Sequence, residues 1–311
     1  MADLSPLRLP AGYRSRAATT ADAPAIHRLV SACERELHGR AVTGADAIAA
    51  DLASPGVDPA SDTVLVDGPR GEPAAWGRLE RGRRFRADVH PGHRGRGLGT
   101  ALLAWAETRA RQAGSDRIAQ TVPDDDRAAV ALLRAGGYLP FVTEWLLEIE
   151  LPTEPPALRP PAGITVRPFR PGDEQAAYRL TEDAFGAWQR RRLSYEEWAG
   201  HCVARETFDP AASPVAFAGD QMVGVVLSLD LPGLDEGYVE RVAVRHDHRD
   251  RGIARVLLRE AFRACHRRGK RTCTLWTHSE TGALPLYQRL GMTVRRSSTV
   301  YGRALTVVRP A

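Results

Sequence analysis

Two arginine-led, glycine-rich turns hold the groups in this chain best suited to chemistry. The first reads Val89-His90-Pro91-Gly92-His93-Arg94-Gly95-Arg96-Gly97-Leu98-Gly99-Thr100 and runs into Ala101-Leu102-Leu103-Ala104-Trp105-Ala106. The second reads Val244-Arg245-His246-Asp247-His248-Arg249-Asp250-Arg251-Gly252-Ile253-Ala254-Arg255 and runs into Val256-Leu257-Leu258-Arg259-Glu260-Ala261-Phe262. Each stands between an apolar strand and an amphipathic helix. A turn of small residues that opens a helix leaves backbone N–H groups unpaired and pointing outward, where the positive end of the helix dipole favours an anion. Two such turns predict two sites shaped for a pyrophosphate. Neither is a Walker loop, because no Gly-Lys-Ser/Thr follows, and the glycine spacing is not that of a dinucleotide fingerprint.

The elements that must position these turns are themselves repeated. Tyr13-Arg14-Ser15-Arg16, then Asp22, Ile26, Leu29 and Val30, has a counterpart in Thr165-Val166-Arg167, then Asp173, Ala177 and Leu180. In both, a first strand ends in a turn whose Asp is expected to cap an apolar-periodic helix. Each half continues with an apolar hairpin arm, the glycine turn and its helix, another strand and a closing helix. Gly137-Tyr138 matches Gly291-Met292 near the two ends. A repeat of this length is a duplicated domain, and 311 residues suffice for two ordinary domains. The proline-dense run from Leu151 to Pro161 reads as a stiff extended connector. The expected organisation is an amino-terminal domain over 11–150, a linker over 151–163 and a carboxy-terminal domain over 164–311. Strands alternating with helices imply an α/β (α+β) layered fold.

Composition narrows the function classes. No apolar run approaches a membrane span or a secretory signal. Cys33, Cys202, Cys265 and Cys273 have neither metal nor redox spacing, which predicts small buried hydrophobes in a reducing, cytoplasmic setting. The net charge of +5 is carried by arginine, with Lys270 the only lysine, a bias of genome composition that does not predict nucleic-acid binding. His246 and His248 flank Asp247 but lack a third ligand nearby, so no metal site is expected.

Both turns fit Arg-x-x-Gly-x-Gly/Ala, and on this motif, placed twice in a longer repeat, the chain resembles the GNAT N-acetyltransferases, whose acetyl-CoA pyrophosphate loop has that form. The resemblance implies two tandem domains, each a mixed, mostly antiparallel sheet splayed between its fourth and fifth strands. It makes acetyl-CoA the cosubstrate, held by Val89 and Arg94, Gly95, Arg96, Gly97, Leu98, Gly99 and Thr100 in one half. In the other half the corresponding residues are Val242, Ala243, Val244 and Arg249, Asp250, Arg251, Gly252, Ile253, Ala254 and Arg255, together with Ser279. Leu286-Tyr287-Gln288-Arg289-Leu290-Gly291-Met292 matches the family's closing motif, which makes Tyr287 the general acid. The first half has Leu133 at that position, and a leucine cannot donate a proton, so the amino-terminal half reads as a degenerate copy.

For the general base, strand alternation places Tyr238, Glu240, Val242 and Val244 on one face, with Glu240 as the nearest carboxylate; a charge paired to arginine is the other reading of Glu240. Many family members carry Glu where Tyr238 stands and Asn where Ser279 stands. These departures argue against mycothiol synthase, which the tandem organisation otherwise resembles together with the antibiotic acetyltransferases. Glu196, Asp235, Glu236 and Tyr238, with nearby Asp230, predict an acceptor groove suited to a polycationic amine, such as an aminoglycoside or a cationic peptide antibiotic. The expectation is therefore an acetyl-CoA-dependent N-acetyltransferase of a small amine, monomeric or homodimeric. A mycothiol synthase-like enzyme, a non-catalytic acetyl-CoA-binding protein and a protein acetyltransferase are the alternatives.

Overall fold

The computed structural model describes residues 7–41, 43–54, 57–186, 191–231 and 235–306. In chain order the elements are β1 (Arg14–Arg16), α1 (Ala23–His38), α2 (Ala45–Leu52), α3 (Pro59–Asp62), β2 (Thr63–Asp67), β3 (Pro73–Glu80), β4 (Arg84–Val89), α4 (Leu98–Gln112), β5 (Arg117–Pro123) and α5 (Arg127–Ala135). They continue with β6 (Leu139–Glu150), β7 (Ile164–Pro168), α6 (Glu174–Phe185), α7 (Tyr195–His201), β8 (Pro214–Ala218), β9 (Gln221–Asp230), β10 (Glu236–Val244), α8 (Ile253–Arg267), β11 (Thr272–His278), α9 (Leu284–Arg289) and β12 (Thr293–Ala304).

The chain forms two compact units whose limits differ from those expected. One holds the described residues up to Thr143 together with those from Ser298 onward, and the other runs from Glu144 to Ser297. The difference arises in the two long closing strands. Glu144–Glu150 of β6 pairs antiparallel with β11 in the second unit, and Ser298–Ala304 of β12 pairs antiparallel with β5 in the first. Local sequence pattern marks a strand but not the edge it joins. The proline-dense run carries no helix or strand over 151–161. It belongs to the second unit, with Leu151 buried in that unit's core and Glu154 ion-paired to Arg263 (2.9 Å) and Arg267 (2.5 Å) of α8.

Each unit has the same plan. β1 to β4, and again β7 to β10, are antiparallel, and the next pairing, β4 with β5 or β10 with β11, is parallel. That parallel pairing is short in both. β4 meets β5 only at Arg84 and Phe85 yet continues to Val89; β10 meets β11 from Glu236 to Val239 yet continues to Val244. The strands splay apart where the loops begin. Apolar cores fill both sides of each sheet. In the second unit one core packs α8 and α9 through Leu257, Phe262 and Tyr287, and the other packs α6 and α7 through Leu180, Trp198 and Cys202.

The repeated aspartates stand at the helix starts, but their side chains do not cap the helices. Asp22 takes two hydrogen bonds from Arg16 (2.8 and 2.7 Å) and one from the Thr19 N–H, and Asp173 takes two from Arg167 (2.7 and 2.8 Å) and one from the Arg170 N–H. Their oxygens are spent on a bidentate arginine fork, which ties strand to turn.

Candidate active site

The second unit contains a cleft of about 580 Å³ where β10 and β11 part. Its walls come from β10 and β11, the turn before α8, and the approach to α9, and they include Glu240, Val242, Ala243, Val244, Arg249, Asp250, Gly252, Ile253, Ala254, Arg255 and Tyr287. The structure thus brings together most of the second-half residues expected to serve the acetyl donor with both of those expected to be catalytic. Arg251 and Ser279 are exposed and outside the lining. Thr281 lines the cleft, two residues after Ser279; its hydroxyl bonds Thr277 (2.9 Å) and the His278 carbonyl (2.8 Å) and accepts the Ala283 N–H.

The turn has the form an anion requires. Gly252 sits in the left-handed region at φ +80° immediately before α8, and Asp250 does so at φ +59°. A Cβ at Gly252 would meet nothing within 4 Å, so the approach to the helix amides is open. Arg249 spends its Nε on the Val244 carbonyl, and among the described residues no carboxylate pairs with Arg249, Arg251 or Arg255. Open amides, a helix start and uncommitted guanidinium groups fit a pyrophosphate. Beyond Val239, β10 has no pairing partner in β11, which leaves a main-chain edge for an extended amide-bearing chain.

Strand alternation does not survive in β10. Val239 lies opposite Ser228 and Arg241 opposite Leu227, so Glu240 is the extra residue of a β-bulge. The expected shared face of Tyr238, Glu240, Val242 and Val244 is therefore divided. Val239, Val242 and Val244 pack on the α8 side, whereas Ala243 packs on the α6–α7 side. Glu240 acts on the latter side, where its charge adds to burial in raising the Tyr238 phenol to about 12 and the Cys202 thiol above its ordinary value. Hydrophobic periodicity carries no signal for one inserted residue. The same strand of the first unit has an unbroken register.

Tyr287 is 7% exposed, on α9, within the α8-side core. Among the described residues nothing hydrogen-bonds its hydroxyl, and burial raises that group to about 12. A phenol in that state keeps its proton through neutral pH and is available as an acid. Tyr287 and Glu240 therefore meet the cleft from opposite sides of the sheet, and the bulge makes this possible.

The residues expected to bind the acceptor are dispersed. Glu236 is at the far end of β10, paired with Arg295 at 2.7 Å, and Asp230 pairs with Lys270 at 2.8 Å. Glu196 is exposed in the first turn of α7, Asp235 is exposed before β10, and neither these nor Tyr238 line the cleft. Phe185, Arg241 and Trp276, the last 45% exposed, also line the cleft and were not singled out from the sequence. His248 also lines the cleft, its Nδ1 2.8 Å from Asp247. No three His, Cys, Asp or Glu among the described residues are grouped so as to hold a metal ion.

In the first unit the matching turn is engaged internally. Arg94 pairs with Glu36 at 2.5 Å, and Arg96 donates to the Tyr13 hydroxyl at 3.0 Å, which in turn bonds His93 at 2.9 Å. A Cβ at Gly99 would lie 2.8 Å from Leu132, and Leu133, at the Tyr287 position, is fully buried. Gly95 and Gly97 keep the left-handed geometry, at φ +71° and +81°, with Leu98 buried and Thr100 exposed beyond them. The Val89 carbonyl accepts from Arg94.

A model of the acetyltransferase (GNAT) family matches residues 56–138 and again 174–292. The chain belongs to the GNAT acetyltransferase family. That family is one of acetyltransferases. Among relatives, the GNAT protein is 31% identical over 230 residues to the mycothiol acetyltransferase of Cellulomonas flavigena, covering 69% of this chain and 65% of that one. The chain thus spans just under two thirds of that relative's length. It is also 31% identical over 232 residues to the mycothiol acetyltransferase of Geodermatophilus obscurus, covering 70% and 72%. Among solved structures, a GCN5-related N-acetyltransferase from Sphaerobacter thermophilus superposes with a TM-score of 0.79 at 33% identity, covering 97% of this chain and 98% of that one. A tandem GNAT protein from the clavulanic acid biosynthesis pathway shares the fold, with a TM-score of 0.70 at 17% identity over 96% and 99% of the chains. No helix among the described residues is long and apolar enough to cross a membrane.

Proposed function

We propose that this protein is an acetyl-CoA-dependent N-acetyltransferase of small amines, of the mycothiol synthase type, with its catalysis in the second unit. The observation that carries the reading is the convergence of Tyr287, Glu240 and the open Arg249–Arg255 turn on one cleft. In this reading the turn amides hold the pyrophosphate and the unpaired edge of β10 holds the pantetheine arm. Glu240 accepts the proton of the acceptor amine through a water. The amine nitrogen then bonds to the thioester carbon, the C–S bond breaks, and the Tyr287 hydroxyl gives its proton to the leaving thiolate. The first unit supports this arrangement without chemistry of its own, since Leu133 has no proton to give and the arginines of its turn are held by Glu36 and Tyr13.

The relatives favour a mycothiol-type acceptor over an antibiotic. The acidic residues that suggested a polycationic acceptor also lend it less support, because Glu236 and Asp230 are neutralised by Arg295 and Lys270. Release of CoA from acetyl-CoA, followed with the amine from which acetylation makes mycothiol and with a panel of aminoglycosides, tests the reading. Faster turnover of the mycothiol precursor is expected. Turnover of aminoglycosides alone would return the antibiotic reading, and no turnover of any amine would favour a binding protein.

A further inference from the structure

Arg241 follows the bulged Glu240 and lines the cleft with its side chain 14% exposed. Its guanidinium lies 5.4 Å over the Phe185 ring, and its Nη1 is 3.8 Å from Oε1 of Glu182, a carboxylate with no exposed surface. That separation leaves room for Coulomb attraction but is too long for a hydrogen bond. Arg241 Nε and Glu182 Oε1 are both buried without a hydrogen-bond partner; the guanidinium also reaches the buried Cys202 sulfur, but among the described residues no oxygen accepts from it. Glu182 Oε2, by contrast, accepts the Leu193 N–H at 2.8 Å. Buried donors of a charged group are normally satisfied, so an arginine Nε left without an acceptor, on a guanidinium that no oxygen bonds and that lines the cleft, marks a place where a ligand completes the network.

We propose that Arg241 is a specificity-determining residue that hydrogen-bonds a neutral oxygen of the acceptor, carbonyl or hydroxyl, standing beside the amine that is acetylated. This rests on the amine-acetyltransferase reading and deepens it. The oxygen is neutral because Glu182 already balances the guanidinium charge, and Glu240, next in the chain and without an ion-pair partner among the described residues, would repel a carboxylate. Glu240 takes the cationic nitrogen and Arg241 the oxygen; the bulge sets them side by side on the α6–α7 face. Trp276, exposed across the splay, supplies a flat apolar surface for the rest of the molecule. A site that spends a buried donor on one oxygen rejects the analogue lacking it more strongly than an apolar wall rejects a missing methylene.

The test uses three amines that share a phenyl ring, L-phenylalaninamide, phenethylamine and L-phenylalanine, with the full-length protein and acetyl-CoA. The amide is expected to exceed the other two in kcat/KM, and Arg241→Met to lower its advantage over phenethylamine by about tenfold or more. The change in the ratio is the quantity read, because the amide's nitrogen is intrinsically less basic. The KM for acetyl-CoA should not change. Since Arg241→Met leaves Glu182 buried without a cation, the double variant Glu182→Gln/Arg241→Met provides a second, charge-balanced comparison that should show the same loss. An unchanged ratio in both variants overturns the assignment while leaving the amine-acetyltransferase reading intact, and a preference for the carboxylate overturns the neutral-oxygen choice. If none of the three is acetylated, the reaction reading fails for these amines, and calorimetry on the CoA-saturated protein decides the subsite. Tighter binding of the amide that disappears in the variants supports it, and equal or absent binding of all three overturns it.

Discussion

Asp250 and Gly95 occupy matching positions of the two turns in the same left-handed conformation, at φ +59° and +71°. Only glycine adopts that geometry without steric cost; for an L-residue the penalty is about 1 kcal/mol, somewhat less for Asp. In the second unit this places a carboxylate within the turn proposed to hold the pyrophosphate. Asp250→Gly should therefore lower the Kd for acetyl-CoA by about three- to tenfold, through loss of like-charge repulsion. Folding stability should stay nearly level, because the relieved strain is offset by the greater chain entropy of glycine, about 0.5–1 kcal/mol. Calorimetric titration and thermal melts read the two effects separately. A weaker affinity would mean that Asp250 organises the turn.

Gly252 and Gly97 provide the comparison between the units. Both precede a helix at φ +80° and +81°, and a Cβ at either meets nothing within 4 Å. Bulk is thus not the obstacle at Gly252; backbone strain and charge are. Gly252→Asp should remove most acetyl-CoA affinity and nearly all turnover, whereas Gly97→Asp should cost a similar amount of stability, about 1 kcal/mol, with turnover largely kept. Equal losses of turnover would show that both units serve catalysis.

The Arg167–Asp173 fork predicts an acid-sensitive contribution to the second unit. The hydrogen bonds from Arg167 hold the Asp173 carboxyl below its ordinary value, outweighing burial. Because the folded value is depressed, the stabilisation is complete above the unfolded value near 4 and is lost as pH falls below it toward the folded value. Asp173→Asn should cost about 1–2 kcal/mol at neutral pH and flatten the fall in stability below about pH 4. Denaturant melts across that range check it; an unchanged acid slope would assign the sensitivity elsewhere.

What the sequence disclosed and what it concealed follow from the range of the interactions. That Arg249, Gly252 and Tyr287 would share one cleft was legible because a helix-opening turn and a closing helix are local motifs, and their counterparts Arg94, Gly97 and Leu133 showed where the two halves differ in sequence. Leu147 and Tyr301 could not be assigned to a unit from pattern alone, since each is a good strand residue and only long-range pairing gives each its core. Arg241 was passed over for a related reason. Alternation treats residues two apart as sharing a face, and the extra residue at Glu240 reversed that rule for the rest of β10. Glu236 and Asp230 misled because their neutralising partners, Arg295 and Lys270, come from distant parts of the chain.

The acid role of Tyr287 is open to a direct measurement. Tyr287→Phe removes the hydroxyl and keeps the ring within the core of the second unit, so the fold and the Kd for acetyl-CoA should change little. If the hydroxyl protonates the departing thiolate, kcat should fall by about 10²- to 10⁴-fold. The pH profile adds a second criterion. Burial raises the phenol to about 12, so in the wild type this group stays protonated and imposes no alkaline loss of rate below roughly pH 11. In the unfolded chain a tyrosine ionises near 10, so stability should decline as pH rises from about 10 toward 12, and Tyr287→Phe should lessen that decline. A packing-only tyrosine would give a kcat within a few-fold of wild type across the profile, while the same change in alkaline stability would still appear. The rate therefore decides the chemistry, and the stability curve verifies the burial on which the argument stands.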